Sequence, residues 1–343
     1  MTLYVRSYSF SDPDFSDTPV VENDEGTRSF QDQVRSAGQQ YIVVIIKEVT
    51  DSENTVVKVI KKDATELYEV VINKSAKLWD VNDNGEVLLY TETITNGSTV
   101  RELVCLDNTG SVKWSKNLGD TTPNAIEIGT EYAGIVVGSE VRFYSTADGS
   151  EVKSYDTGYS FSGNGGFQQC YGSANGYTLA YKSGEYVVFA DAGGDYTAVH
   201  IGSLGWAHIT GRDIHCGRVS VQMEDSGGHA YQKVVFRTGE QPSVSGNGIC
   251  VISPCGEWLM VIWVGIEKVY LYYVTATKLE KISETPFASG EEWCKSIDVS
   301  FYGKYGLVLH ESNNLCVYEL KTGTFKDSLT NPLGTRAVML CSD

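Results

Sequence analysis

His200, His208, His215 and His229, with Asp213 and Cys216 among them, form the one cluster in this sequence whose residue types could hold a metal. Zinc takes imidazole, thiolate and carboxylate ligands converging on a tetrahedron. His208 and His215 are seven positions apart, and on a strand an odd separation points two side chains to opposite faces, so they could share an ion only across a bulge. His208, His215 and Cys216 are therefore weak metal candidates, better read as structural or surface residues. Cys250 and Cys255 are separated by a four-residue spacer with no second matched pair, which is a poor zinc pattern. No Gly-x-Ser-x-Gly, Walker glycine-lysine loop or His-Glu-x-x-His occurs. The glycine run Gly163-Asn164-Gly165-Gly166 lacks the strand and helix that would make it a phosphate cradle. No catalytic residue, metal or cofactor is expected.

The elements that must position any site follow from a repeat. An apolar alternating strand runs into a turn of the form Asp/Thr-x-Gly at Leu106-Asp107-Asn108-Thr109-Gly110, Ser145-Thr146-Ala147-Asp148-Gly149, Ala190-Asp191-Ala192-Gly193, Phe236-Arg237-Thr238-Gly239 and Glu319-Leu320-Lys321-Thr322-Gly323. Degenerate copies stand at Lys62-Asp63-Ala64-Thr65-Glu66 and Thr275-Ala276-Thr277-Lys278. Taking Ala64, Gly110, Gly149, Gly193, Gly239, Thr277 and Gly323 as markers, the steps are 46, 39, 44, 46, 38 and 46 residues, about 43 on average, which is a propeller period. A second turn precedes the first in several units: Asn82-Asp83-Asn84-Gly85, Ser173-Ala174-Asn175-Gly176, Ser253-Pro254-Cys255-Gly256 and Ser300-Phe301-Tyr302-Gly303, each leading into a strongly apolar strand. Each unit thus reads as strands a, b, c and d joined by turns, with period-2 alternation as at Val269, Leu271 and Tyr273.

These turns carry a resemblance. Ser253-Pro254-Cys255-Gly256-Glu257-Trp258-Leu259 is similar to the Ser-Pro-Asp-Gly turn of YVTN- and WD-type propellers, and Asp107-Asn108-Thr109-Gly110-Ser111-Val112-Lys113-Trp114 resembles the repeat of quinoprotein-type propellers. The resemblance spans residues 41 to 343 and identifies blades rather than a biochemical family. The Gly-His opening and Trp-Asp ending of WD repeats are missing, since Trp79-Asp80 falls in a strand a. The expectation is an all-β, seven-bladed β-propeller of four-stranded antiparallel blades over residues 41–343, preceded by an acidic N-terminal arm, residues 1–40. The first unit, from Tyr41, has strands b, c and d but no strand a. The tail Thr335 to Cys341 is a strand without a unit, so it is expected to supply strand a of blade 1 and close the ring.

In such a unit the d-to-a and b-to-c loops share one end. Sorting the sequence by that rule collects Asp51, Glu53, Glu92, Asp120, Glu224, Asp225, Glu291 and Glu292 at one face, together with Tyr159, Phe161, Trp206 and Trp293. Carboxylates beside aromatic anchors suit a partner bearing Lys or Arg, through long-range attraction and cation–π contact. Against this, Trp206 and Trp293 stand in equivalent register and could equally fill the wedge between blades.

Composition narrows the function classes. The 35 Gly and 21 Tyr against 4 Met and 7 Pro suit many strands and tight turns, and 41% hydrophobic residues suffice for a core. A net charge of −17 repels phosphate backbones and anionic membrane surfaces, so nucleic acid is not an expected partner. No apolar run approaches the roughly 18 to 20 residues of a membrane span, and the first ten residues show no secretory pattern. The eight cysteines are dispersed, several inside apolar runs where free thiols act as small hydrophobes. The expected function is a non-enzymatic protein-binding scaffold or structural assembly component, cytoplasmic or virion-associated, with a basic protein partner. Residues 1–40 offer assembly contacts, Leu3-Tyr4-Val5 as a strand that could pair with a neighbour's edge. The alternatives are a virion or cell-surface attachment protein and a propeller hydrolase or lyase with a channel site; a quinone-dependent dehydrogenase is disfavoured by chain length.

Overall fold

The structure, a computed structural model, describes residues 3–9, 14–21, 28–48, 54–162, 170–263, 265–288 and 294–330. Among them no helix occurs, and seven four-stranded antiparallel sheets follow one another along the chain, each a meander in sequence order. The first is β3 (Arg28–Arg35), β4 (Tyr41–Glu48), β5 (Thr55–Lys61) and β6 (Glu66–Ile72), and the second β7 (Ser75–Val81), β8 (Val87–Thr95), β9 (Ser98–Leu106) and β10 (Val112–Asn117). The third is β11 (Ala125–Ile128), β12 (Tyr132–Val137), β13 (Glu140–Ser145) and β14 (Glu151–Asp156). The fourth holds β15 (Cys170–Gly172), β16 (Thr178–Ser183), β17 (Tyr186–Asp191) and β18 (Tyr196–His200), and the fifth β19 (Leu204–Arg212), β20 (Arg218–Asp225), β21 (Ala230–Phe236) and β22 (Ser243–Ser245). The sixth comprises β23 (Gly248–Ile252), β24 (Trp258–Trp263), β25 (Lys268–Val274) and β26 (Leu279–Pro286); the seventh comprises β27 (Cys294–Val299), β28 (Tyr305–His310), β29 (Asn314–Glu319) and β30 (Thr324–Thr330).

One difference from the sequence expectation lies near the start of the chain. The place beside β4 is taken by β3, from within the expected arm, with Val34 facing Val43 and Arg35 facing Ile42 in the register. Its polar sequence, Arg-Ser-Phe-Gln-Asp-Gln-Val-Arg, and a bulge between Phe30 and Asp32 hide the alternation by which a strand is recognised. The tail expected to close the ring, Thr335 to Cys341, lies outside the described residues. Ahead of β3, β1 (Leu3–Ser9) and β2 (Asp14–Val21) form a separate two-stranded sheet.

The middle strands are apolar on both faces because each sheet packs on two sides. Val43, Val44, Ile45 and Ile46 of β4 are buried, as are Val187, Val188 and Phe189 of β17. At about 1.5–3 kcal/mol for each large aliphatic or aromatic side chain removed from water, these strands carry the stability. The chain divides into two compact units, residues 1–155 with 174–177, and residues 156–173 with 178–343.

Within each unit, successive sheets dock through turn glycines. The turn between strands c and d needs a left-handed residue, found at Ala64, Gly110, Gly149, Gly239 and Gly323. In the first unit the Tyr68 ring of β6 lies under Gly110, and the Trp114 ring of β10 lies under Gly149 while its Nε1 donates to Thr146 O at 2.9 Å. A Cβ on either glycine would come within 2.8 Å of the ring. The a-to-b turns do the same at the other docking point: Gly176 sits on the Tyr132 carbonyl in the first unit, and Gly303 on Trp258 in the second.

Candidate binding surface

The d-to-a and b-to-c connections of each meander lie at one end of its sheet, and the acidic and aromatic residues sorted there by sequence are met unit by unit. In the first unit, Arg101 of β9 reaches both Glu92, at 3.5 Å, and the fully exposed Asp120, at 3.8 Å. Glu92 also accepts from Tyr90 Oη at 2.7 Å. Glu92 is thereby tied into the sheet end, whereas Asp120 projects into solvent with a loose, solvent-screened contact.

The second unit gathers the aromatic residues. Tyr159 follows β14, and its ring meets Tyr186 at 4.9 Å and Tyr196 at 6.2 Å; Tyr186 in turn meets the His200 ring at 5.1 Å. Tyr159 is anchored by its backbone, since its carbonyl accepts from Tyr181 Oη at 3.0 Å and its N–H donates to Thr157 Oγ1 at 3.2 Å. Tyr196 is 44% exposed, and Glu185, half exposed, accepts from His200 Nε2 at 3.3 Å. Phe161 packs toward Tyr181 at 6.3 Å. In the next sheet Trp206 of β19, partly buried, faces Glu224 across the ladder and lies 5.5 Å from the His208 ring. Tyr159, Tyr186 and Tyr196 thus form one group of rings with Glu185 beside it, and Trp206 stands in the next sheet opposite Glu224.

Asp225 has a local task. It accepts from the Gly227 and His229 N–H groups at 2.9 Å and from His229 Nδ1 at 3.2 Å, closing the turn from β20 to β21. The His229 and Gly227 N–H donors hold its carboxyl below the usual range. Glu291, Glu292 and Trp293, expected at the same end, lie outside the described residues, as do Asp51, Glu53 and the run Gly163–Gly166.

The histidine cluster is dispersed. His208 is on β19, its pKa lowered by burial and then by the charge of Lys182, while His215 is exposed in the following turn. Cys216 occupies the left-handed position of that turn, φ 51°, where Gly217 would be expected, and its buried thiol donates to Tyr171 O at 3.3 Å. Among the described residues no group of three His, Cys, Asp or Glu is placed to hold a metal. Tyr186, Tyr196 and Lys182 were not singled out in sequence. Glu185, in the b-to-c turn of its unit, follows the same sorting rule as Glu224; Tyr196 opens a strand d, where that rule gives no signal.

Comparison with solved structures places this arrangement among propellers. Kluyveromyces lactis Hsv2 superposes with a TM-score of 0.55 at 10% identity, covering 89% of this chain and 100% of that chain. BamB from Moraxella catarrhalis gives 0.53 at 11% identity, with 88% of each chain covered. The C-terminal WD40 domain of Sif2 gives 0.57 at 8% identity, covering 90% of this chain and 88% of that one. No protein-family model and no curated protein matches the sequence. Likeness at such identities speaks to fold alone. With the seven four-stranded sheets, it makes the chain a seven-bladed β-propeller.

Proposed function

We propose that the protein is a non-enzymatic binding scaffold that docks a Lys- or Arg-bearing protein on the loop end of its second unit. The observations that support this reading are the group of rings Tyr159, Tyr186 and Tyr196 with Glu185 beside it, and the partly buried Trp206 facing Glu224 in the next sheet. Partly exposed aromatic anchors are what interfaces use for affinity, and carboxylates at their rim steer a cationic partner. Glu291, Glu292 and Trp293 are assigned to the same role by their place in the sequence. Asp225 contributes its charge, with its Oδ1 committed to the turn. The test is capture of partners from the native source by wild-type protein and by a Tyr159→Ala/Trp206→Ala variant, with bound proteins identified and the affinity of the leading one measured. The variant should lose that partner by about tenfold or more while keeping its melting temperature within a few degrees. Equal affinity would refute the reading.

A second reading, a structural assembly component, is favoured by one observation: β1 and β2 pair with each other in a sheet of their own, register Arg6↔Asp17 and Tyr8↔Phe15. A two-stranded sheet has two edges to offer a neighbouring chain. Light scattering of the full chain at high concentration should then show species larger than a monomer, lost when residues 1–27 are deleted; a monomer throughout would exclude it.

A further inference from the structure

The a-to-b and c-to-d turns lie at the other end of each sheet, and in the sixth and seventh sheets they gather cations on aromatic rings. Gly303, in the turn from β27 to β28, sits on the Trp258 ring of β24, which meets Tyr273 at 5.1 Å. Lys321, exposed in the turn from β29 to β30, holds its Nζ 4.3 Å from the centre of the Trp258 ring. Leu320 N donates to Lys304 O at 2.7 Å, which ties the two turns together, and Lys304 Nζ lies 4.8 Å from the Tyr305 ring. Beside them Tyr302 is 54% exposed, its ring set edge-on to Phe301 at 4.8 Å. The carboxylates of these turns are mostly paired, Glu319 with Lys326 and Glu280 with Lys278, while Glu257 is exposed. Among the described residues no carboxylate is paired with Lys321, whose charge rests on the ring instead. Lys278, Lys304, Lys321 and Lys326 thus stand against Glu257, Glu280 and Glu319, a small positive balance in a chain of net charge −17.

The complementary charge is in the chain itself. Residues 11–25 hold six carboxylates, Asp12, Asp14, Asp17, Glu22, Asp24 and Glu25, and no Lys or Arg. In the β1–β2 register Asp17 faces Arg6, whereas Asp14 faces Ser9. We infer that the turn end of the sixth and seventh sheets is the receptor for residues 11–25 of a second copy of this chain, with Lys304 and Lys321 taking its carboxylates and Tyr302 as the aromatic anchor. The inference rests on the assembly reading given above and names the surface that the arm engages. Ammonium groups already held on rings lose less freedom when a carboxylate arrives, and at this exposure the attraction is screened by salt. Arm and receptor are different patches, so two copies can exchange arms reciprocally or a row of copies can extend. The acidic loop end of the second unit takes no part in this contact.

The test is sedimentation velocity of the full chain at low and high sodium chloride, for wild type, a receptor variant Lys304→Glu/Lys321→Glu and an arm variant Asp14→Lys/Glu22→Lys/Asp24→Lys. Wild type should assemble at low salt and dissociate at high salt, and each variant alone should associate about tenfold or more weakly. An equimolar mixture of the two variants should form a one-to-one pair, because the intact arm of one meets the intact receptor of the other; that recovery also shows that both are folded. A measurement on wild type alone removes any dependence on how a variant folds. Carbodiimide coupling of mixed isotope-labelled and unlabelled chains should join Lys304 or Lys321 to a carboxylate of residues 11–25 in peptides that carry both isotopes. Coupling within one chain only, or none at these lysines, would overturn the inference, as would a mixture of variants that stays monomeric. If the arm variant is monomeric while the receptor variant assembles like wild type, the inference fails and the assembly reading stands; a wild type that is monomeric at every concentration overturns both.

Discussion

Burial sets the chemistry of single side chains here. The Cys105 and Cys250 thiols are pushed up to about 12 by desolvation, so at neutral pH they hold their protons and pack as hydrophobes. The described cysteines are free thiols, and Cys255 is only partly buried. A thiol-specific reagent should therefore modify Cys255 well before Cys105 or Cys250 in the native protein, read by peptide mass spectrometry; equal rates would contradict the burial assigned to the latter two. Two pH windows share a sign and separate by position. Burial, then Lys182, lowers the His208 pKa below 6.5, so the unfolded chain binds the proton more readily and stability falls as pH drops below 6.5. Asp107, held below its ordinary value by Thr109, contributes stability above the unfolded carboxyl range that is lost as pH falls through its lower folded value, a more acidic window. Melting curves should show a shallow decline below about pH 6.5, absent in His208→Gln, before the acid transition. The Lys182 pKa, lowered by burial, gives a third window of the same sign at alkaline pH: the cost of its charge is present at neutral pH and vanishes above the unfolded lysine value. Cysteines in apolar runs were readable from sequence as buried thiols. Lys182 was not, because a lysine inside an alternating run gives no sign of whether a carboxylate faces it.

At the scale of elements, the fold depends on aromatic rings docking under turn glycines. Trp114→Ala should cost about 3–5 kcal/mol in chemical denaturation, since the ring is buried and its Nε1 hydrogen bond spans two sheets. Trp114→Phe should cost less, keeping much of the packing. A pair of glycines separates conformation from contact. Gly97 (φ +78°) at a hairpin tip has open space around it, and Gly176 (φ +77°) would place a Cβ 1.9 Å from the Tyr132 carbonyl oxygen. Gly97→Ala should show only the left-handed penalty of about 1–2 kcal/mol, and Gly176→Ala substantially more; equal losses would contradict the docking role. The turns were legible because Asp, Thr and Gly at fixed offsets have one local solution, as the Asp107 carboxylate shows by accepting from Thr109 N and Ser111 N. Less legible was which residue in a turn goes left-handed: Cys216 in place of Gly217, and Gly194 beside the marker Gly193. Strand β3 is hidden in the sequence because its register, not its composition, makes it a strand.

For the whole molecule, repeat period and charge are the two properties that the sequence states most plainly, and they differ in what they decide. The period assigns seven blades because each unit must bury its sheet against another. The charge of −17 decides nothing about fold but governs association: a partner must approach through a negative potential, which speeds a cationic one and repels nucleic acid. The candidate surface was legible in part, through Tyr159, Phe161, Trp206 and Glu224, because loop position follows from strand order. Tyr186 and Tyr196 join it only through three-dimensional packing on Tyr159. The most direct test of partner docking at the second unit is the salt dependence of affinity for the partner captured from the native source, compared between wild type and Glu185→Lys/Glu224→Lys. Wild-type affinity should fall steeply with ionic strength, and the variant should bind more weakly at low salt with a shallower dependence. Identical affinities and slopes would contradict the account.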